Sequence, residues 1–533
     1  MLDNGIEGTC FVTQPKRLAT SGCGARLQVE LDSKFLRDQQ DAHLSVDVDA
    51  VGILYRGYRS MPKDRADARI IVLTDGLLAQ MVSNNRRLPD ASVIVIDEVH
   101  DFGLNIEYLL AELTLALRER PDLRLVLMSA TVNAEEILAH FSAFSPTRID
   151  VEGETKHLEM IYLQPDEVEY SYQFHIYHAV RLFITDPDIE SGDCLVFLPG
   201  VAEIVQISEG CRKALSQDYP DALAKVEILK LAKDLPLDEQ NLVKTDRYVD
   251  GRKLRKIIFA TNVAETSITL PDIRLVVETG KGKMSQYDPT TLSTDLILVS
   301  CSQHQVQQRR GRAGRVSDGV VCHCYTLDEF GRLEKFSPRP LKHADLTPII
   351  PKILNGGSQL RSYPWFTHPE PEFLVAALSR MIDFGLLENG ADVTSAKLTA
   401  LGNVAVQLDL TPELVVLFDY AKPVDGVAPT FAYELLIIIS MIASGESIYA
   451  KIPEDDGGRM DAIRATYTIP DSDHLSELNL FHAWHHAYVT GRDSNFCSEF
   501  GLVKPTLQDV KDRTLELVRK YKSKSQVAPW KYC

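Results

Sequence analysis

Short apolar runs recur through the first 330 residues, and each ends in small or polar side chains. Cys10 to Thr13, Ile70 to Thr74, Val93 to Ile96 and Leu123 to Met128 are such runs. Continuous stretches rich in β-branched residues predict buried strands of a parallel sheet. Between them the apolar spacing lengthens to that of a helix. One helix should run from the turn at Pro15 through Ala25-Arg26-Leu27, another should start near Leu77, and Leu109, Leu110, Leu113 and Leu117 predict a third over Asn105 to Arg118. Strand and helix in alternation predict a doubly wound α/β domain. The alternation then repeats with Cys194 to Leu198, Lys256 to Thr261 and Ile273 to Val277, and it closes on Gln308-Arg-Arg-Gly-Arg-Ala-Gly-Arg315. Two α/β domains are therefore expected, over 1–152 and 153–330.

After Pro338 the strand pattern fades. Glu372 to Phe384, Pro412 to Ala421 and Tyr433 to Ala443 have helical periodicity, Leu398 to Gly402 is expected as a turn, and the tail from Tyr521 is expected to fray. No run of eighteen apolar residues exists, so no membrane span is expected. The start, Met1-Leu-Asp-Asn-Gly, lacks the basic and apolar regions of a signal peptide. A net charge of −18 argues against a broadly basic surface. It leaves nucleic acid open, because phosphate contacts can be confined to one groove. Nine cysteines without a CxxC pair suit reduced thiols in the cytoplasm or nucleus, and Cys322-His323-Cys324 alone is a poor zinc site.

Candidate chemistry gathers at Ser92 to His100, where the run ends in Asp97-Glu98-Val99-His100. Ligands of parallel sheets bind at the carboxyl ends of the strands. Asp97 at such an end can hold Mg²⁺ beside nucleotide phosphates. Glu98 can orient or deprotonate an attacking water.

TQPKR (13–17), TDG (74–76), DEVH (97–100), SAT (129–131), FLPG (197–200), TNVAETSIT (261–269) and QRRGRAGR (308–315) occur in one order. That order resembles the DEAH/RHA family of superfamily 2 RNA helicases. The resemblance implies an α/β fold of two tandem RecA-like P-loop NTPase domains with parallel sheets. A winged helix over 331–402 and a helical ratchet domain over 403–533 would follow. It implies ATP and Mg²⁺ as cofactors and RNA as partner, with a protein activator on the helical domains. Asp97 and Glu98 would hold the metal, and Glu98, Gln308, Arg312 and Arg315 would be catalytic. Asp97, Glu98, His100, Arg26, Ser267 and Gly314 would bind nucleotide, Arg26 by stacking on adenine, with Lys244 in place of the usual opposing aromatic. Arg17, Thr74, Gly76 and Thr266 would touch the RNA backbone with weak sequence preference. Ser129 and Thr131 would couple the two activities, and Tyr287 to Val299 would form a hairpin beside the duplex.

The family's phosphate-cradling loop, GxxxxGK[ST], is absent from the 533 residues; the nearest string, Gly280-Lys-Gly-Lys-Met284, falls in the second domain. An internal methionine at position 1 is the expectation, because losing a central strand would leave unpaired backbone groups. Natural loss of the loop would instead make the chain a non-hydrolysing RNA-binding scaffold. Lesser departures are Glu278 in place of Asp, Ser302 to Val306 in place of small residues, and an end before the OB-fold that many members carry.

Overall fold

The structure is a computed structural model that describes residues 8–38, 50–55, 58–62, 68–129, 134–151, 156–186, 191–232, 235, 237–266, 270, 272–421, 429–450 and 460–524. The first sheet contains β1 (Thr9–Gln14), β2 (Val51–Tyr55), β3 (Tyr58–Ser60), β4 (Ile70–Thr74), β5 (Ala91–Ile96) and β6 (Arg124–Leu127). Their order is β3-β2-β4-β1-β5-β6, and every pairing is parallel except β2 with β3. Gln14 is in register with Thr74, and Thr13 with Ile96. Three strands therefore finish together, which sets Gln14, Thr74 and Asp97 along one edge. Helices α1 (Arg17–Asp38), α2 (Asp75–Asn84) and α3 (Leu104–Glu119) flank the sheet.

The run at Leu123 to Met128, expected as a buried strand, instead forms the outer strand of this sheet. Val126 is 43% exposed and Met128 39%. β6 pairs with β5 alone among the described strands. An apolar parallel strand with one open side departs from the usual burial of such strands on both faces.

The second sheet is wholly parallel, in the order β7-β16-β13-β8-β12-β9. Its members are β7 (Leu158–Ile161), β8 (Asp193–Phe197), β9 (Val226–Leu231), β12 (Arg255–Ala260), β13 (Ile273–Glu278) and β16 (Gly319–His323). A small hairpin, β10 (Tyr248–Val249) and β11 (Arg252–Lys253), and a longer one, β14 (Lys281–Asp288) and β15 (Ser293–Ser300), lie outside it. β8 is buried throughout because apolar layers cover both faces, with Val196 in one and Leu195 in the other.

The remaining chain is mostly helical. Leu398 to Gly402 is not a turn: Thr399 caps a helix over Ala400–Leu408 by accepting from the Gly402 amide at 3.1 Å. Gly402 permits the close approach of Leu386, whose carbonyl oxygen a Cβ there would meet at 2.2 Å. Helix Lys504–Lys524 continues through Tyr521, and the residues after it lie outside the described ones. The core of these helices is continuous with the first sheet, joining Leu109 and Leu110 to Ile350, Trp365 and Leu414. Polar clamps reinforce the joint. Arg86 and Tyr363 hold Glu112 at 2.6 and 3.0 Å, and Thr367 holds Glu107 at 2.7 Å. A second helical core surrounds Trp484.

Candidate nucleotide cleft between the two sheets

Asp97 is fixed from two sides. Its Oδ2 accepts from Gln14 Nε2 at 2.7 Å, and its Oδ1 accepts from the Glu98 amide at 2.8 Å. The chain turns sharply here because Glu98 takes a left-handed conformation (φ 53°), an uncommon one for a glutamate. That turn directs Asp97, Glu98 and Asp101 into one cleft. Burial, then repulsion by Asp97 and Asp101, pushes the Glu98 carboxyl up to about 7, although Arg312 and Lys16 pull it down. Asp101 is likewise raised by burial, against the pull of Lys16.

The second domain supplies the opposing charges. Helix Gln303–Arg310 carries a complete capping box, Ser302 with Gln305, and ends at the arginine-rich turn. Arg312 is 6% exposed, and its guanidinium donates to the Glu265 carbonyl. Burial, then repulsion by Arg315, lowers it to about 10, while Glu98 and Glu265 act in the other direction. Burial also lowers Arg315, with Glu98 opposing. Glu98 and the two guanidiniums therefore act on one another across the cleft.

His100 closes the same gap. Its Nδ1 lies 2.9 Å from Ser129 Oγ, and its Nε2 lies 2.5 Å from Gln308 Nε2. Burial lowers its pKa to about 4, against the pull of Asp97, so the ring is neutral near pH 7. The 3.3 Å approach of Glu98 Oε2 to Nε2 is thus no ion pair, but contact with a carboxyl already hard to ionise.

The other candidates are dispersed. Arg26 is 75% exposed on α1, with Glu30 of the same helix at 3.8 Å. Gly314 has φ +70°, and a Cβ there would meet Leu158 Cδ2 at 2.6 Å, which is a backbone reason for glycine. Thr74 is the N-cap of α2, and the Gly76 amide donates to Asp75 Oδ1 at 2.8 Å. Arg17, at the start of α1, pairs with Glu446 at 3.1 Å. Thr266 ends the short helix Val263–Thr266, while Thr131 and Ser267 lie outside the described residues. Lys244 follows helix Leu237–Leu242 and is lowered by burial.

Sequence reasoning missed Gln14, Lys16, Asp101, Glu265 and Arg309. Gln14 had a signal, since it stands in the TQPKR string at a strand end. Arg309 had the arginine string, but not its burial against Glu265 (2.7 Å) and Glu278 (2.9 Å).

Two families match the chain: DEAD/DEAH box helicase over residues 42–139, and helicase conserved C-terminal domain over 181–317. The ATP-dependent RNA helicase HrpA of Escherichia coli is 30% identical over 425 residues, 78% of this chain and 30% of HrpA. The human ATP-dependent RNA helicase DHX33 is 26% identical over 514 residues, 94% of this chain and 67% of DHX33. The chain thus spans under a third of HrpA. The crystal structure of the Escherichia coli DEAH/RHA helicase HrpB superposes with a TM-score of 0.71 at 24% identity, covering 97% of this chain and 55% of that one. Its likeness extends through both sheets and the helices after them. By its ordered motifs, its two matched families and these relatives, the chain belongs to the DEAH/RHA family of helicases.

Proposed function

We propose that the chain works as an ATP-dependent RNA helicase, with nucleotide bound between the two sheets. The observation that carries this reading is the facing of Glu98 with Arg312 and Arg315, bridged by His100 and Gln308. Phosphoryl transfer spreads charge over the phosphate oxygens, and planar guanidiniums neutralise it from across a cleft. Glu98, with its carboxyl near 7, is suited to accept a proton from water. Gln308 is placed to orient that water.

The residues fit Mg²⁺. Asp97, Glu98 and Asp101 are hard oxygen donors whose mutual repulsion a cation would relieve. Among the described residues no group of three could hold a metal by itself, so its remaining ligands would be phosphate oxygens and water. Mg²⁺ would supply charge neutralisation at the phosphates. The backbone-amide cradle for those phosphates has no counterpart string in this chain.

RNA would lie along Arg17, Thr74, Gly76 and Thr266, gripped by its backbone rather than read by its bases. A protein activator would dock on the helical domains, and no membrane partner is proposed. A second reading is a scaffold that binds RNA without hydrolysis.

The test is ATP hydrolysis by the purified chain with Mg²⁺, with and without RNA, beside Glu98→Gln. RNA-stimulated turnover that the substitution abolishes supports the motor. Equal, background-level phosphate release by both proteins overturns it, and RNA binding that persists then supports the scaffold.

A further inference from the structure

Gln308 has a second imidazole partner that none of the family motifs contains. His304 lies one helical turn before it, on the same face of helix Gln303–Arg310. Its Nε2 is 2.9 Å from Gln308 Nε2, and the His100 and His304 rings lie 5.2 Å apart. The amide nitrogen of Gln308 therefore donates one hydrogen to each ring, His100 from the first domain and His304 from the second. Each ring must present a bare Nε2 for this. Burial lowers both imidazoles below their ordinary value, which keeps them neutral.

His304 is itself anchored. It is 8% exposed, its backbone amide donates to the Lys335 carbonyl at 3.1 Å, and its ring meets Phe336 at 5.8 Å. Neighbouring Gln303 donates to the Leu333 carbonyl at 3.0 Å. The ring is thus held by the segment that leads out of the second domain toward the C-terminal helices.

We propose that His304 is a positioning residue that fixes the amide of Gln308, so that its nitrogen latches His100 and its carbonyl oxygen is left to accept from the attacking water. This rests on the reading of Gln308 as the residue that orients that water. Without His304 the amide regains rotational freedom about its terminal torsion, which is broad and two-fold. One lost neutral hydrogen bond corresponds to roughly a five- to tenfold change in an equilibrium or rate.

The test compares His304→Leu, His304→Gln, Gln308→Ala and the Gln308→Ala/His304→Leu double variant of the full chain in two assays. In RNA-stimulated ATP hydrolysis, His304→Leu is expected to lower kcat about five- to tenfold with KM for ATP unchanged. His304→Gln, which keeps an acceptor at similar reach, should restore most of it. In the Gln308→Ala background, His304→Leu should change nothing further. The second assay reads the closed-to-open ratio from distances between spin labels on the two α/β domains, and the same pattern is expected. The proposal is overturned if His304→Leu acts equally with and without Gln308, or if His304→Gln fails to rescue. If the unaltered chain does not turn over ATP, the hydrolytic reading fails, while the distance assay still decides the role of His304.

Discussion

Arg309 holds the helix bearing Gln308 onto the second sheet, and its loss should destabilise that domain severely. Its side chain is 1% exposed. Nε donates to Glu265 at 2.7 Å, Nη1 to Glu278 at 2.9 Å, and the guanidinium lies 4.9 Å from the Phe197 ring. Burial pushes the Glu278 carboxyl above its ordinary range, against the pull of Arg309. Arg309→Met keeps the stem but strands both carboxyls, and breaking a buried pair from one side costs about 3–5 kcal/mol. With a slope near 2 kcal/mol per molar urea, the midpoint for opening the second sheet should fall by roughly 1.5–2.5 M. Hydrogen exchange at Val276 and Val277 of β13 would report that transition. The deficit should depend on pH. In the variant, Glu278 binds its proton more tightly in the native state than in the unfolded chain, so stability falls as pH rises. The loss is therefore smaller at about pH 5 than at about pH 8. Adding Glu265→Gln and Glu278→Leu removes the stranded charges and should recover most of the stability. A midpoint shift under about 0.5 M, or one indifferent to pH, would refute the reasoning.

Four further outcomes are expected. The kcat/KM for ATP should rise with pH through about 7, since Glu98 must lose its proton to act as base, and Glu98→Gln should remove that limb along with about a hundredfold or more of the rate. Gly314→Ala must force a left-handed alanine against Leu158, and calorimetry should show a cost of about 1–3 kcal/mol. Val126→Lys on the exposed face of β6 should change stability by no more than about 0.5 kcal/mol; a larger loss in urea titration would mean that this face is covered. Glu446→Gln frees Arg17 from an ion pair whose members are 40% and 49% exposed. RNA affinity at low salt should rise about two- to fivefold, the gain fading as salt is added.

The sequence made the strands with unbroken β-branched runs legible, β4 and β5 above all, because burial on both faces demands that composition. It hid β2, β7, β9 and β16, which are short, at an edge or polar at alternate positions. β9 reads Val-Glu-Ile-Leu-Lys-Leu, and β16 is only five residues with a leading glycine. β6 is legible as a strand but not in its surroundings, since its own residues cannot tell whether a neighbour stands on its far side. Asp97 and Glu98 were legible because a strand end is a local feature. Gln14 was not, because its contact with Asp97 depends on how β1 and β5 align, 83 positions apart in sequence. Arg26 is exposed on its helix, and thirteen residues of spacing alone cannot say which face of a helix a side chain takes.

The cores explain which part of the molecule is free to move. The first sheet shares one apolar core with the helices after residue 340, and Glu107 and Glu112 are clamped across that joint. The second sheet is buried within its own two layers, and its domain meets the rest through polar contacts in the cleft and one aromatic ring of its long hairpin. These are Gln308 with His100 in the cleft, and Tyr287 of β14, whose ring packs beside Phe373 in the first core and whose hydroxyl lies 3.5 Å from Arg380. Severing an apolar core exposes area at about 25 cal/mol per Å², whereas exchanging a few hydrogen bonds for water costs little net. Opening of the cleft should therefore carry the second sheet, with Gln308, Arg312 and Arg315, away from a first domain that moves as one body with the C-terminal helices. The acids at the end of β5 stay with the larger body, and the guanidiniums leave with the smaller one. A ligand that neutralises both sets at once gains its full interaction only in the closed form, which is how nucleotide charge would be converted into domain movement.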